Sequence, residues 1–140
     1  MEKERLSILI KKTALAVEKK TNQALSEIKL TNAQFRILLM LYHKQHREIR
    51  QIDIETAFGM TNPTVTGILN NLEKKDLIMR RENPKDKRSK IISLTSHAFD
   101  IIPEIFDYAD EIEEQVVKSL TLMEREQLGA ILQKIMKNIY

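Results

Sequence analysis

The segment from Gln51 to Thr95 constrains the fold more than any other part of this chain, because its punctuation admits few backbone paths. Gln51 to Phe58 carries Ile52, Ile54, Ala57 and Phe58 and stops at Gly59, the residue best suited to the left-handed position after a helix. Met60-Thr61-Asn62-Pro63 then opens a second helix. Asn62 is the expected N-cap, with Thr61 as the alternative, and Pro63 suits the first helical position, where a missing N–H costs nothing. Through about Lys75 this helix places Val65, Ile68, Leu69 and Leu72 at i, i+3, i+4 and i+7, so the four share one face. Pro63, Thr66, Gly67, Asn70, Asn71 and Lys74 point away from it. Two short helices across a tight glycine turn, the second with a small polar outer face, make a helix-turn-helix. Two β-prone runs follow, Leu77 to Glu82 and Ile91 to Leu94, with the polar, cationic stretch Asn83 to Lys90 between them. That predicts a β-hairpin with a long basic tip, turned at Asn83-Pro84.

The flanks read as helices. Residues 5–28 carry Leu6, Leu9, Ile10, Ala14, Val17, Leu25 and Ile28 at a helical spacing whose seam drifts, as in a helix with more than one partner. Leu30-Thr31-Asn32 breaks it, and Thr31 is the expected N-cap of a helix to about Lys44. Phe35, Ile37, Leu38, Leu39 and Leu41 make that helix apolar on nearly all sides, which requires a central position. His46-Arg47-Glu48-Ile49 is a polar connector. After Thr95 or Ser96 comes a helix with Phe99, Ile102, Ile105, Phe106, Ala109, Ile112 and Val116 on one side and an acidic opposite face. Pro103 is expected to kink it near the start. Thr121-Leu122-Met123-Glu124 is a capping box, and Leu128, Ile131, Leu132, Ile135 and Ile139 continue the last helix at helical spacing.

With 140 residues the chain is one domain's worth, and three glycines and three prolines are too few for an all-β sandwich. The absence of cysteine excludes a disulfide framework, a thiol switch, a thiolate zinc site and a cysteine nucleophile together. No apolar run is long enough to span a bilayer, and the mixed-charge opening Met1-Glu2-Lys3-Glu4-Arg5 is unlike a secretory signal, so a cytoplasmic protein is expected. Charge is unevenly placed: residues 1–95 carry a net +8 and residues 96–140 a net −5. Residues 77–95 alone hold six cations against two anions, a localised basic patch of the kind that contacts nucleic acid. His43, His46 and His97 form no metal-ligand spacing, since His43 and His46 stand three residues apart, and no cofactor or phosphate-binding loop is indicated. The acidic pairs Asp110-Glu111 and Glu113-Glu114 lie on a helix surface without a nucleophile nearby, so an enzyme is not expected.

The order of elements up to Thr95 resembles the MarR family of winged helix-turn-helix regulators. Thr61-Asn62-Pro63-Thr64-Val65-Thr66 with Leu72-Glu73-Lys74-Lys75 and Leu77-Ile78 is similar to that family's recognition helix and the entry to its wing. Asp86-Lys87-Arg88-Ser89 matches its Asp-x-Arg wing signature, and Leu94-Thr95 the Leu-Thr that ends the wing. Two positions depart from the pattern. Gly67 stands where many relatives carry an arginine, and Asp76 replaces the usual glycine before the wing, implying a slightly different turn.

The resemblance implies a mainly α fold, a winged helix-turn-helix with a two-stranded wing and N- and C-terminal dimerisation helices. Within one domain over 1–140, residues 1–30 and 96–140 would dimerise and 31–95 form the DNA-binding lobe. It implies a homodimer on a palindromic operator in double-stranded DNA, usually a repressor, with a small aromatic or anionic effector. The expected DNA-binding residues are Thr61, Asn62, Pro63, Thr64, Thr66, Gly67, Asn70 and Lys74 on the helix, and Arg80, Lys85, Asp86, Lys87, Arg88, Ser89 and Lys90 on the wing. Among them Thr64, Thr66 and Asn70 are placed at base edges, and with no Arg or Lys before Lys74 an A·T-rich half-site is expected. Arg88 is assigned to the minor groove, and Asp86 to orienting the wing by pairing with an arginine. Lys85, Lys87, Lys90, Arg80 and Arg81 are assigned to phosphates, with Arg80 or Arg81 alternatively paired to Glu82 or Asp86. Arg36, Tyr42 and His43 are the candidates for an effector pocket. The competing reading is a winged-helix module that binds protein and no DNA.

Overall fold

The computed structural model describes residues 3–140, so Met1 and Glu2 of the charged opening lie outside the described residues. Among the described residues six α-helices and three short strands follow in the order α1 (Leu6–Leu25), α2 (Asn32–His43), β1 (Ile49–Arg50), α3 (Gln51–Phe58), α4 (Asn62–Lys74), β2 (Ile78–Asn83), β3 (Asp86–Leu94), α5 (Ser96–Val117) and α6 (Leu122–Ile139). The helix expected over 5–28 is α-helical only to Leu25 and finishes as a 3-10 turn, Ser26–Ile28.

Three helix ends close in the same way. The Leu30 N–H bonds the Leu25 carbonyl and the Lys29 N–H that of Ser26, with Lys29 left-handed at φ 57. Leu77 and Asp76 repeat the pattern on the carbonyls of Leu72 and Glu73, with Asp76 at φ 58. Gly59 ends α3 at φ 61. Asp76 thus takes the left-handed conformation that a glycine adopts most easily. Aspartate tolerates this region because its short polar side chain suits it.

Thr31, Thr95 and Thr121 cap α2, α5 and α6 through their hydroxyls, which accept from the N–H groups of Gln34, Ala98 and Glu124. α5 runs without interruption through Pro103, so the proline leaves the Phe99 carbonyl without its usual donor but does not break the helix. Its buried stripe, Ala98, Ile102, Ile105, Ile112 and Val117, is turned slightly from the one expected, leaving Phe99 and Val116 exposed.

The sheet has three antiparallel strands in the order β1-β3-β2, one more than the sequence suggests. Ile49 lies opposite Ile92 and is buried, so one apolar residue draws the end of the polar connector into a strand. The core fills the space between α2, α3, α4, the sheet and the start of α5, around Ile37, Leu38, Ile54, Leu69, Leu72 and Ile78. Arg36 interrupts the apolar surround of α2: it is exposed, with its guanidinium 4.6 Å from the centre of the Phe58 ring.

α1 and α6 are different. No residue of α6 is buried, and Leu128, Ile131, Leu132, Met136 and Ile139 stand open to solvent. Leu128, Ile131 and Leu132, with Leu6, Leu9 and Ile10 of α1, wall a groove of about 770 Å³. An 18-residue helix with an apolar stripe and no buried residue has little within its own chain to hold it folded.

Because Gly59 and Lys29 share a left-handed backbone, substitutions there should move stability in opposite directions. Gly59→Ala is expected to cost about 1 kcal/mol and Lys29→Gly to gain about 0.5–1 kcal/mol. Urea unfolding at one fixed protein concentration measures both.

Candidate nucleic-acid interface

α4 buries Val65, Leu69 and Leu72 and leaves Ile68 partly covered, so its opposite face is held outward. That face carries Thr64, Gly67, Asn70, Asn71 and Lys74, all exposed. A Cβ added at Gly67 would meet nothing within 4 Å, so the glycine leaves an open gap in the middle of the face.

The cap is the alternative one, a residue before Asn62. Thr61 is the N-cap, Asn62 the first helical residue and Pro63 the second. The reason lies on α3: the Asn62 Nδ2 donates to Glu55 Oε2 at 3.0 Å, so that side chain is drawn to its neighbour and not back onto the helix. Thr61 in turn donates its hydroxyl to that of Thr64, 3.0 Å away. Gln51 completes the joint, its Nε2 donating to Thr66 Oγ1 at 2.9 Å and to the Asn62 carbonyl at 3.3 Å. Thr66 is therefore half-buried, with its hydroxyl shared with α3. Gln51 and Glu55 are positioning residues that sequence reasoning missed, because nothing in their type or spacing distinguishes them from solvated polar residues.

The basic stretch after α4 is not a long loop. The chain turns at Pro84-Lys85 alone, and β3 begins at Asp86. Between the pairs Glu82↔Lys90 and Asn83↔Asp86 the register shifts, so Lys87, Arg88 and Ser89 bulge from the long strand. Asn83 holds this tip from inside. It is buried, its Oδ1 accepts from the Lys85 N–H at 3.0 Å, and its Nδ2 donates to Ser89 Oγ at 3.1 Å. Ser89 Oγ donates on to the Asp86 carbonyl, 3.2 Å away. Asp86 Oδ1 accepts from both the N–H and the Nε of Arg88, at 3.0 and 3.3 Å. The arginine partner that the resemblance implies for Asp86 is thus Arg88, two residues on. The Arg88 side chain remains 93% exposed. Lys85, Lys87 and Lys90 are exposed around it.

Arg80 behaves otherwise. It shares a face of β2 with buried Ile78, since alternate residues of a strand point the same way, and its side chain is only 22% exposed. Its Nε donates to Glu73 Oε2 at 3.0 Å and its Nη2 to Asn70 Oδ1 at 2.6 Å, so neither Glu82 nor Asp86 is its partner. These bonds set the first strand of the hairpin against the outer face of α4. They also fix the Asn70 carboxamide with one oxygen lone pair taken and its amide hydrogens free to donate. The Glu73 carboxyl is held below the usual glutamate range by the hydrogen bond and the charge of Arg80. Arg81, on the other face, reaches Glu48 at 3.5 Å.

The effector candidates are separated. Arg36 stacks on Phe58 and lines the α1–α6 groove, whereas Tyr42 and His43 pack edge-on against Phe106. Among the described residues no group of three or more His, Cys, Asp or Glu side chains converges as a metal site would, and no helix is long and apolar enough to cross a membrane.

Breaking the Arg80 bridge should be visible at Glu73. Its carboxyl is expected to titrate below the ordinary glutamate range by NMR, and Arg80→Ala to bring the midpoint back up into that range. Because the folded-state pKa is lowered, the contribution of this pair is present above the ordinary glutamate pKa and is lost as pH falls through the depressed one.

Comparison with known proteins adds four findings. The model of the MarR family matches residues 30–90, from the start of α2 to the wing. MhqR of Bacillus subtilis (strain 168), a helix-turn-helix-type transcriptional regulator, is 26% identical over 113 residues, which is 80% of this chain and 77% of MhqR. The crystal structure of S. aureus MepR in complex with DNA superposes with a TM-score of 0.88 at 33% identity, covering 99% of this chain and 100% of that one. Wild-type E. coli MarR in its apo form shares the fold with a TM-score of 0.81 at 24% identity, over 96% of this chain and 98% of that one.

Proposed function

This chain belongs to the MarR family, and from that membership with the geometry above we infer that it is a dimeric transcriptional regulator of double-stranded DNA, acting as a repressor in the cytoplasm. One observation carries the reading. The Arg80 bridge joins the exposed face of α4 to a hairpin that holds Arg88, Lys85, Lys87 and Lys90 out in solvent, which makes one continuous surface for a groove and its phosphates. MepR, of the same fold and a third identical, has been crystallised with DNA, which favours this over a winged-helix module that binds only protein.

In this account α4 enters the major groove with the positive end of its dipole and the free N–H groups of its first turn toward the backbone. Thr64 and Asn70 lie at base edges, with Thr66 contributing its methyl, while Thr61, Asn62 and Pro63 set the approach of the helix end. Gly67 leaves room for a base pair to come close, and Lys74 meets a phosphate. Arg88 enters the adjacent minor groove, where a narrow A·T tract deepens the negative potential. Asp86 aims it, Ser89 braces the tip, and Lys85, Lys87 and Lys90 hold phosphates. Arg80 acts from behind, as the residue that orients Asn70. The helix itself carries no Arg or Lys before Lys74, which favours an A·T-rich half-site.

We propose that residues 1–30 and 96–140 dimerise and that 31–95 form the DNA-binding lobe, a reading supported by the open apolar faces of α1 and α6. A two-fold pair of such lobes reads two half-sites roughly one helical turn apart on a palindrome. The effector we propose is a small aromatic anion at Arg36, the cation of the α1–α6 groove.

Arg88→Ala tests the interface. Fluorescence anisotropy with duplexes selected from random sequence should show weaker binding and a salt slope smaller by about one unit per half-site, with circular dichroism unchanged. Unchanged affinity and slope in a folded Arg88→Ala protein would hand the assignment to the protein-binding module.

A further inference from the structure

Lys75, the residue that ends α4, belongs to neither the core nor the DNA-facing surface. Its ammonium donates to the Lys29 carbonyl at 2.5 Å and to Gln34 Oε1 at 2.9 Å. Lys29 is the left-handed residue that closes the α1 segment, and its carbonyl lies at the negative end of that helix, where a cation is favoured. Gln34 is buried, and the same Oε1 accepts from the Thr31 N–H in the capping box of α2. One ammonium therefore joins the end of α1, the start of α2 and the end of α4. Among the described residues these are the only side-chain hydrogen bonds between α4 and the α1–α2 junction.

Packing joins these elements as well, through Leu25, Leu30 and Leu72 of one core. Beside the ammonium itself, however, lies a groove of about 400 Å³ walled by Ile28, Leu30, Leu77, Ile101 and Ile105. One residue further on, the Asp76 carbonyl accepts the Thr95 hydroxyl at 2.6 Å, which ties the same end of α4 to α5. At the far end of α4 the side-chain hydrogen bonds to another element go to Gln51 and Glu55 of α3. In its hydrogen bonds the recognition helix is thus tied at its C-terminal end to the helices that would dimerise, and at its N-terminal end to α3.

We propose that Lys75 is a positioning residue: its bonds to Lys29 and Gln34 set the angle between the recognition helix and the dimerisation helices, and so fix the separation of half-sites that the dimer accepts. The proposal rests on the regulator reading for its consequence on DNA, but not for the geometry itself. Lys75→Met removes both bonds and keeps the length of the side chain. Lys75→Arg keeps two donors.

Since the chain has no cysteine, Gln23→Cys and Asn71→Cys give two clean spin-label positions, one on α1 and one on α4, measured in an excess of unlabelled chain. The label distance should be single and narrow with Lys75 or Lys75→Arg, and broad or split with Lys75→Met. On duplexes whose half-sites are moved apart or together by one or two base pairs, Lys75→Met should bind the best spacing about tenfold more weakly, the loss expected for charge-assisted hydrogen bonds, and discriminate less between spacings. Its salt slope should stay that of the parent, because no phosphate contact is lost. A narrow, unshifted distance in Lys75→Met overturns the proposal, as does a salt slope that falls by about one unit per half-site, which would make Lys75 a phosphate ligand. A parent protein that ignores every duplex removes the regulator reading, and the label distances then decide the tie alone.

Discussion

The burial of Val65, Leu69 and Leu72 under the core is the constraint on which the rest of this molecule depends. Each fully covered side chain is worth roughly 1.5–3 kcal/mol, so the rotation of α4 about its axis is not negotiable. Once that face is fixed, Thr64, Gly67, Asn70 and Lys74 have only one direction to face. The short side chains on that side, weak contributors to any core, become a shallow surface that another large molecule can approach closely. What a helix presents is decided by what it hides.

Around that helix the cations divide into two sets with opposite duties. Lys75 and Arg80 are spent inside the chain, on backbone and carboxamide oxygens and on Glu73, where they set angles between elements. Arg81 makes a looser surface pair with Glu48 of the kind that adds little stability. Arg88, Lys85, Lys87 and Lys90 are held out in solvent by a tip that satisfies its own backbone through Asn83, Ser89 and Asp86. The tip is a short turn with a three-residue bulge, so it presents its charges from a braced strand. This arrangement lowers the ordering cost that a flexible basic loop would meet on binding a polyanion.

The parts legible in the sequence were those decided by local chemistry. Thr31, Thr95 and Thr121 cap their helices because a threonine hydroxyl next to an apolar-periodic run has a nearby backbone N–H to accept from. Gly59 ends α3 because few other residues reach φ 61 without strain. The parts that were not legible were decided across space. Asn62 lost the cap position to Thr61 through a bond to Glu55 on another helix. Ile49 became a strand only because Ile92 lay opposite it. Arg80 and Arg81 carry the same charge in adjacent positions, and only the pleat separates the half-buried one from the exposed one. For the candidate site this means that the exposure of Thr64, Gly67, Asn70 and Lys74 was readable, while the half-burial of Thr66 and Arg80 and the ties that aim the surface were not.

We propose that two copies of this helix-and-wing unit, paired through the apolar faces of α1 and α6, grip one duplex. Hydroxyl-radical footprinting of a selected palindromic duplex tests it most directly. It should show two protected stretches centred about one helical turn apart, each flanked by minor-groove protection where Arg88 enters. A single protected stretch, or a backbone cut evenly along its length, would contradict it.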